Sequence, residues 1–184
     1  MATVQHSTLS SSELHEPKGA ATADANTVYV ADGAGSGNWL QAPTGFLNYV
    51  GSGSGTVITA PATLTLVNVA SLTHGTQRQY THNNAGRLTY TGATTLSTKL
   101  FATLVLQTAA SNVDVVAQIF VNGIPAFPAQ FVAEQTVSGA NGFTTLPMVG
   151  YVDLSTNDYV EVFVQASSGN LEIFGLNILA EGVI

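Results

Sequence analysis

The stretch YVDLSTNDYVEVFVQASSGNLEIFGLNILA, Tyr151–Ala180, shows the period of the fold directly. Along Tyr159–Gln165, Val160, Val162 and Val164 fall on one side, and Tyr159, Glu161, Phe163 and Gln165 on the other. Successive side chains of an extended chain point to opposite faces, so this spacing predicts a β-strand with one aliphatic face. Asn157-Asp158 ahead of it is turn chemistry, because both side chains bond nearby backbone and tolerate left-handed geometry. Leu171–Leu179 is different: counted in twos, Phe174, Leu176 and Ile178 oppose Leu171, Ile173 and Leu179. A strand apolar on both faces is covered on both, whereas the outer face of a two-sheet sandwich is normally wet. A second subunit is the simplest cover, and a loop of the same chain is the alternative. With a subunit as cover, the interface residues are Tyr159, Phe163, Phe174, Leu176 and Ile178.

Upstream the same alternation repeats. Arg87–Thr91 places Leu88 and Tyr90 together, and Lys99–Thr108 does so for Leu100, Ala102, Leu104 and Leu106. Asp114–Asn122 aligns Val115, Ala117, Ile119 and Val121 before the Asn122-Gly123 turn, and Phe143–Leu154 follows. Val57–Thr59 and Leu64–Val67 are strand-like around Pro61, which suits an edge or a corner. Roughly eight strands at these intervals, with no helical segment, predict an all-β sandwich.

Composition changes near residue 56. Ser7–Ser12 is a polar run, and Gly33–Gly37 and Gly51–Gly55 are glycine-rich. Thr27–Val30 is the one strand-like segment, ahead of an Asp32-Gly33 turn, and Trp39, Phe46 and Tyr49 are isolated aromatics. Such a segment buries too little apolar surface to offset its ordering entropy. The expected organisation is an extended arm and linker over residues 1–55, ordered by lying on other subunits, and a β domain over 56–184. About fifty extended residues reach on the order of 150 Å.

Charge narrows the function. Only 8% of the 184 residues are charged, against about 25% in ordinary soluble domains. A surface of hydroxyl and amide side chains suits burial against neighbours. Lys18, Arg78, Arg87 and Lys99 are the four basic residues, against eleven acidic ones. No basic cluster exists to displace counterions, so nucleic acid is not an expected partner. The sequence has no cysteine, which excludes disulfides and thiolate chemistry. No apolar run of membrane-spanning length and no signal-peptide pattern is present, so synthesis in the cytosol and no membrane partner are expected.

Catalytic patterns are weak. His6, His15, His74 and His82 lack the close spacing of metal ligands, so solvated loop histidines are expected and no metal. The glycine-rich loops lack the Lys-Ser/Thr of a phosphate loop, and Gly35 and Gly53 stand where a nucleophilic serine would. Asp153, Asp158 and Glu161 are close in sequence, but the first two bracket a turn and the third lies on a strand. A non-enzymatic chain without cofactor is the expectation.

Two resemblances add to this reading. The alternation of residues 57–184, with Asn157-Asp158 before a valine strand and a final apolar strand, resembles the trimeric jelly rolls of the tumour necrosis factor and complement-like superfamily. That resemblance implies a jelly-roll homotrimer. The segment ELHEPKGAATADANTVYVADGAGSGNW, Glu13–Trp39, resembles the N-terminal segments of tailed-phage head fibre and capsid decoration proteins. It implies an arm bound to the major capsid protein or another shell protein through His15, Glu16, Pro17, Lys18, Tyr29 and Trp39. The implied location is the capsid exterior of a virion, with adhesion to host-surface glycans as an added expectation. A tail fibre or receptor-binding tip, or a free carbohydrate-binding module, are the alternatives.

Overall fold

The computed structural model describes residues 20–31, 34, 37–51, 55–60, 62–126 and 131–183. The chain divides into two units, Met1–Ala42 and Pro43–Ile184. In the first unit, a 3-10 turn (Ala20–Thr22) precedes an antiparallel hairpin of β1 (Val28–Ala31) and β2 (Gly37–Leu40). Tyr29 and Trp39 are cross-strand partners, their rings edge-to-face at 5.3 Å. Thr27 Oγ1 donates to the Asp24 carbonyl at 2.6 Å, and Gln41 Nε2 to the Ala25 carbonyl at 3.2 Å. The expectation that the arm has no structure of its own therefore fails for the described residues of 20–31 and 37–42. The aromatic pair supplies the cross-strand contact that a short hairpin needs.

The second unit is a jelly-roll sandwich of two antiparallel sheets. One sheet runs β13 (Phe143–Leu154), β9 (Leu96–Thr108), β15 (Asn170–Gly182), β3 (Thr44–Val50) and β6 (Thr73–His74), with β4 (Thr56–Thr59) also on β15. The other runs β11 (Ile124–Pro125), β10 (Val113–Val121), β14 (Tyr159–Ala166), β8 (Leu88–Tyr90) and β7 (Tyr80–His82). β12 (Val132–Val137) flanks β10 in that sheet, and β5 (Thr65–Leu66) pairs with β14.

The inward residues are those the alternation selects. Leu100, Leu104 and Leu106 of β9 meet Val115, Ala117 and Ile119 of β10 and Val160, Val162 and Val164 of β14 in one core. All are essentially without solvent contact. Each large aliphatic side chain so placed stabilises the fold by about 1.5–3 kcal/mol relative to exposure. Asn122 and Gly123 both take left-handed geometry, φ 54° and 73°, which makes the two-residue link between β10 and β11.

Two expectations need correction here. β3 pairs with β15 from Thr44↔Glu181 to Val50↔Gly175, and its Leu47 and Tyr49 lie in the core. The β domain thus begins at Pro43, not at residue 56. Glycines on both sides of this strand disguise it in the sequence.

The second correction concerns β15. Its register against β9 shifts between Ile173 and Gly175, a β-bulge. One extra residue reverses the facing of everything after it. Leu171 and Ile173 point inward before the bulge, and Leu176, Ile178 and Ala180 point inward after it. Leu171, Ile173, Leu176 and Ile178 are therefore one inner face read out of phase, while Phe174 and Leu179 fall on the outer side. Glycine suits the bulge position, where a side-chain carbon would stand 3.3 Å from Val105.

Candidate functional site

With that phase corrected, the outer face of the β13–β9–β15–β3 sheet can be read strand by strand. Cross-strand register places Val149 beside Phe101, Phe101 beside Leu179, and Leu179 beside Phe46. This is an unbroken apolar row across four strands. Val149 is 48% exposed, and the other three are half-buried by one another and their neighbours. The next row toward one end holds Tyr151, Lys99, Glu181 and Thr44. Lys99 Nζ there lies 4.5 Å from the Phe101 ring centre, a cation–π contact. On the other side come Pro147, Thr103, Asn177 and Asn48, then Thr145, Val105 and Val50. Farther along the same face Phe143, 60% exposed, packs edge-to-face on Phe174 at 4.9 Å. This row, with the Phe143–Phe174 pair, is the candidate interaction surface of the domain.

The outer face of the opposite sheet is built differently. Phe163 of β14 stacks on Phe120 of β10 at 4.0 Å, and Phe120 is buried. Glu161, 3% exposed, accepts from Arg87 Nε at 3.1 Å and Nη2 at 2.9 Å. The same guanidinium lies 3.6 Å above the Tyr159 ring. Aromatic stacking, ion pair and cation–π contact engage these residues with one another within the chain.

The five expected interface residues thus separate. Leu176 and Ile178 are fully buried in the chain's own core, so they cannot face a neighbour. Tyr159 and Phe163 lie on the self-engaged face of the other sheet. Phe174 alone belongs to the open apolar face. The sequence reading missed Phe46, Phe101, Val149 and Leu179, and correct phasing past Gly175 with strand order was the signal needed to find them. Among the expected arm residues, Tyr29 and Trp39 contact each other, whereas His15, Glu16, Pro17 and Lys18 lie outside the described residues.

The carboxylates singled out by sequence have local duties. Asp158 accepts from Ser155 N and from Asn122 Nδ2, both at 2.7 Å, which ties the turn before β14 to the β10–β11 turn. Glu161 is the Arg87 partner, and Asp153 is exposed on β13. A cavity of about 220 Å³ beside β4 and β15 is lined by Val57, Gln107, Asn141, Asn170 and Glu172. Two of its polar groups are already engaged: Glu172 accepts from Gly55 N, and Gln107 donates to the Asn141 carbonyl, both at 2.8 Å. His74, on β6 beside β3, and His82, on β7, form a ring pair with centroids 4.4 Å apart. Burial, and then the nearby His74, hold the His82 imidazole below the usual histidine range.

No known protein family matches the sequence, and no curated protein is recognisably related to it. Solved structures are similar in fold. The Eiger TNF of S. frugiperda aligns with a TM-score of 0.50 at 10% identity, over 77% of this chain and 94% of that one. The PRD1 vertex protein P5 aligns with a TM-score of 0.54 at 15% identity, over 77% of this chain and 97% of that one. The β domain is a TNF-like jelly roll.

Proposed function

We propose that this chain is a non-enzymatic structural protein of a virus particle, a capsid decoration or head fibre protein. Its N-terminal unit attaches to the major capsid protein or another shell protein, and its jelly roll is a homotrimer displayed on the capsid exterior. The observation that carries this reading is the open apolar face centred on Phe101 and Leu179. A charge-poor chain with such a face is soluble in the long term when copies cover one another. The trimer also matters mechanically, because three linked arms engage a shell at once and multiply the affinity of each. The likeness in fold to a vertex protein supports the virion assignment, as does the resemblance of Glu13–Trp39 to decoration-protein arms. The local duties of Asp158 and Glu161 support a role without catalysis.

Two measurements test it. Light scattering on the purified full-length chain is expected to give the mass of three copies, and a monomer at micromolar concentration overturns the trimer. A pull-down on purified empty phage heads compares the full chain with residues 43–184. Binding is expected to vanish with the first unit, and retained binding overturns the attachment role. The truncation point matters, since removing residues 1–50 would also remove β3 from the sheet. Imaging of labelled particles separates this reading from a tail fibre, which would sit at the tail.

A further inference from the structure

Turns at one end of the sandwich converge on the cavity beside β4 and β15. Asn141 between β12 and β13 takes φ 56°, and Gly169 between β14 and β15 takes φ 73°, left-handed geometry that tight reversals use. Thr108 N donates to the Gly142 carbonyl at 3.2 Å, and Gln107 Nε2 to the Asn141 carbonyl at 2.8 Å. The first turn is thereby fastened to the end of β9. Gly55 N holds one oxygen of Glu172 at 2.8 Å. These bonds leave the second Glu172 oxygen, Gln107 Oε1 and the side-chain amides of Asn141 and Asn170 without a partner among the described residues. All four residues line the same space of about 220 Å³. Cross-strand register sets an aromatic beside them. Phe143 pairs with Gln107, Gln107 with Glu172, and Glu172 with Val57, so these side chains share the outer face in one row. The Phe143 ring is 60% exposed and is braced edge-to-face by Phe174 at 4.9 Å. The stretch of β13 from Phe143 to Val149 spans on the order of 20 Å, so this end lies beyond the row centred on Phe101 and Leu179.

We propose that this end of the sandwich binds a neutral pyranose. A sugar ring offers a face of C–H groups, which packs on an exposed aromatic such as Phe143. Its rim carries hydroxyls that both donate and accept. The Asn141 and Asn170 amides supply donors and acceptors, and Gln107 Oε1 and the Glu172 carboxylate supply further acceptors. Val57 and Leu171 complete the lining, which gives a few convergent polar groups on an apolar base. The bonds from Gly55 and to the Asn141 carbonyl fix Glu172 and Gln107 in advance, so little ordering is left for binding to cost. Charge sets the selectivity. The lining holds one carboxylate and no basic side chain, so a sialic acid or a uronic acid meets a like charge with nothing to offset it. This inference rests on the cavity and its rim and not on the virion assignment.

The test is saturation-transfer NMR on the full-length chain. The probes are the methyl glycosides of glucose, galactose, mannose and N-acetylglucosamine, with glucuronate and N-acetylneuraminate as acidic counterparts. At least one neutral glycoside is expected to bind saturably with a Kd on the order of a millimolar, as a ligand this small allows. Neither acidic sugar should bind. Phe143→Ala and Asn170→Ala should each weaken binding at least about fivefold, while Lys99→Ala, at the other end of β9, leaves it unchanged. Both replaced residues are exposed, so melting temperatures should stay near the parent's. Should either variant fail to fold, the labelled parent replaces it: the glycoside must shift the side-chain amide signals of Gln107 and Asn170 together. No saturable neutral sugar, equal binding of an acidic one, or binding unchanged in both variants overturns the site. None of these results bears on the pull-down with empty heads, so the two readings fail separately.

Discussion

The outer faces of the two sheets both carry aromatic residues, yet they differ in what those residues touch. On the β10–β14 face, Phe163 has Phe120, Tyr159 has Arg87, and Arg87 has Glu161, all within the chain. On the β13–β9–β15–β3 face, Val149, Phe101, Leu179 and Phe46 lie side by side in register, with Lys99 Nζ over the Phe101 ring and Val149 48% exposed. The first face is finished by its own chain and the second is not. Apolar content alone does not locate an interface. Apolar surface without an intramolecular cover is the better pointer.

The largest effect that sharpens this contrast concerns Leu176, which sequence alone would place at the interface. Leu176→Ala should cost about 2–5 kcal/mol by cavity formation, read from urea unfolding and independent of protein concentration. A loss that disappears as concentration rises would return the residue to the interface. Next, Arg87→Ala leaves Glu161 buried without its partner and should cost about 3 kcal/mol. Adding Glu161→Gln should recover part of that loss, which shows that the finished face depends on the pair being complete. On the open face, Phe101→Glu should weaken self-association by about 2 kcal/mol or more, roughly thirtyfold. Sedimentation would read this, while the unfolding of the dissociated chain stays near that of the parent.

The smallest effect lies in the core between the faces. Burial raises the Tyr80 phenol above its ordinary value of 10.0, its hydrogen bond to Thr98 lowers it, and Tyr90 raises it. A raised acid in the folded state means that the unfolded chain loses the proton first, so stability falls as pH rises past 10. Tyr80→Phe should cost about 1 kcal/mol at neutral pH through the lost Thr98 bond. It should also flatten the alkaline limb, measured by unfolding midpoints across that range.

Much of the sandwich was legible because strand faces repeat every two residues. Leu100, Leu104 and Leu106, and Val160, Val162 and Val164, are where counting in twos puts them. The interaction surface was less legible for two physical reasons. A single bulge between Ile173 and Gly175 inverts facing downstream, and its place is set by pairing with β9. Phe46, Phe101, Val149 and Leu179 are scattered over the chain and become a row only through strand order. β3 escaped notice for a related reason: its Leu47 and Tyr49 gain their burial from β15, more than 120 residues away in the chain.

By itself, then, the amino-acid order determined the class of fold, the inner residues of the long strands, the Asn-Gly and Asn-Asp turns and the poverty of charge. These are local properties, set by alternation, left-handed tolerance and composition. Only the tertiary structure decided where the domain begins, which side of β15 faces out, which aromatics are covered, and that His74 meets His82. Those depend on pairing and register between distant segments, which the cooperative packing of two sheets selects and no short window of sequence contains.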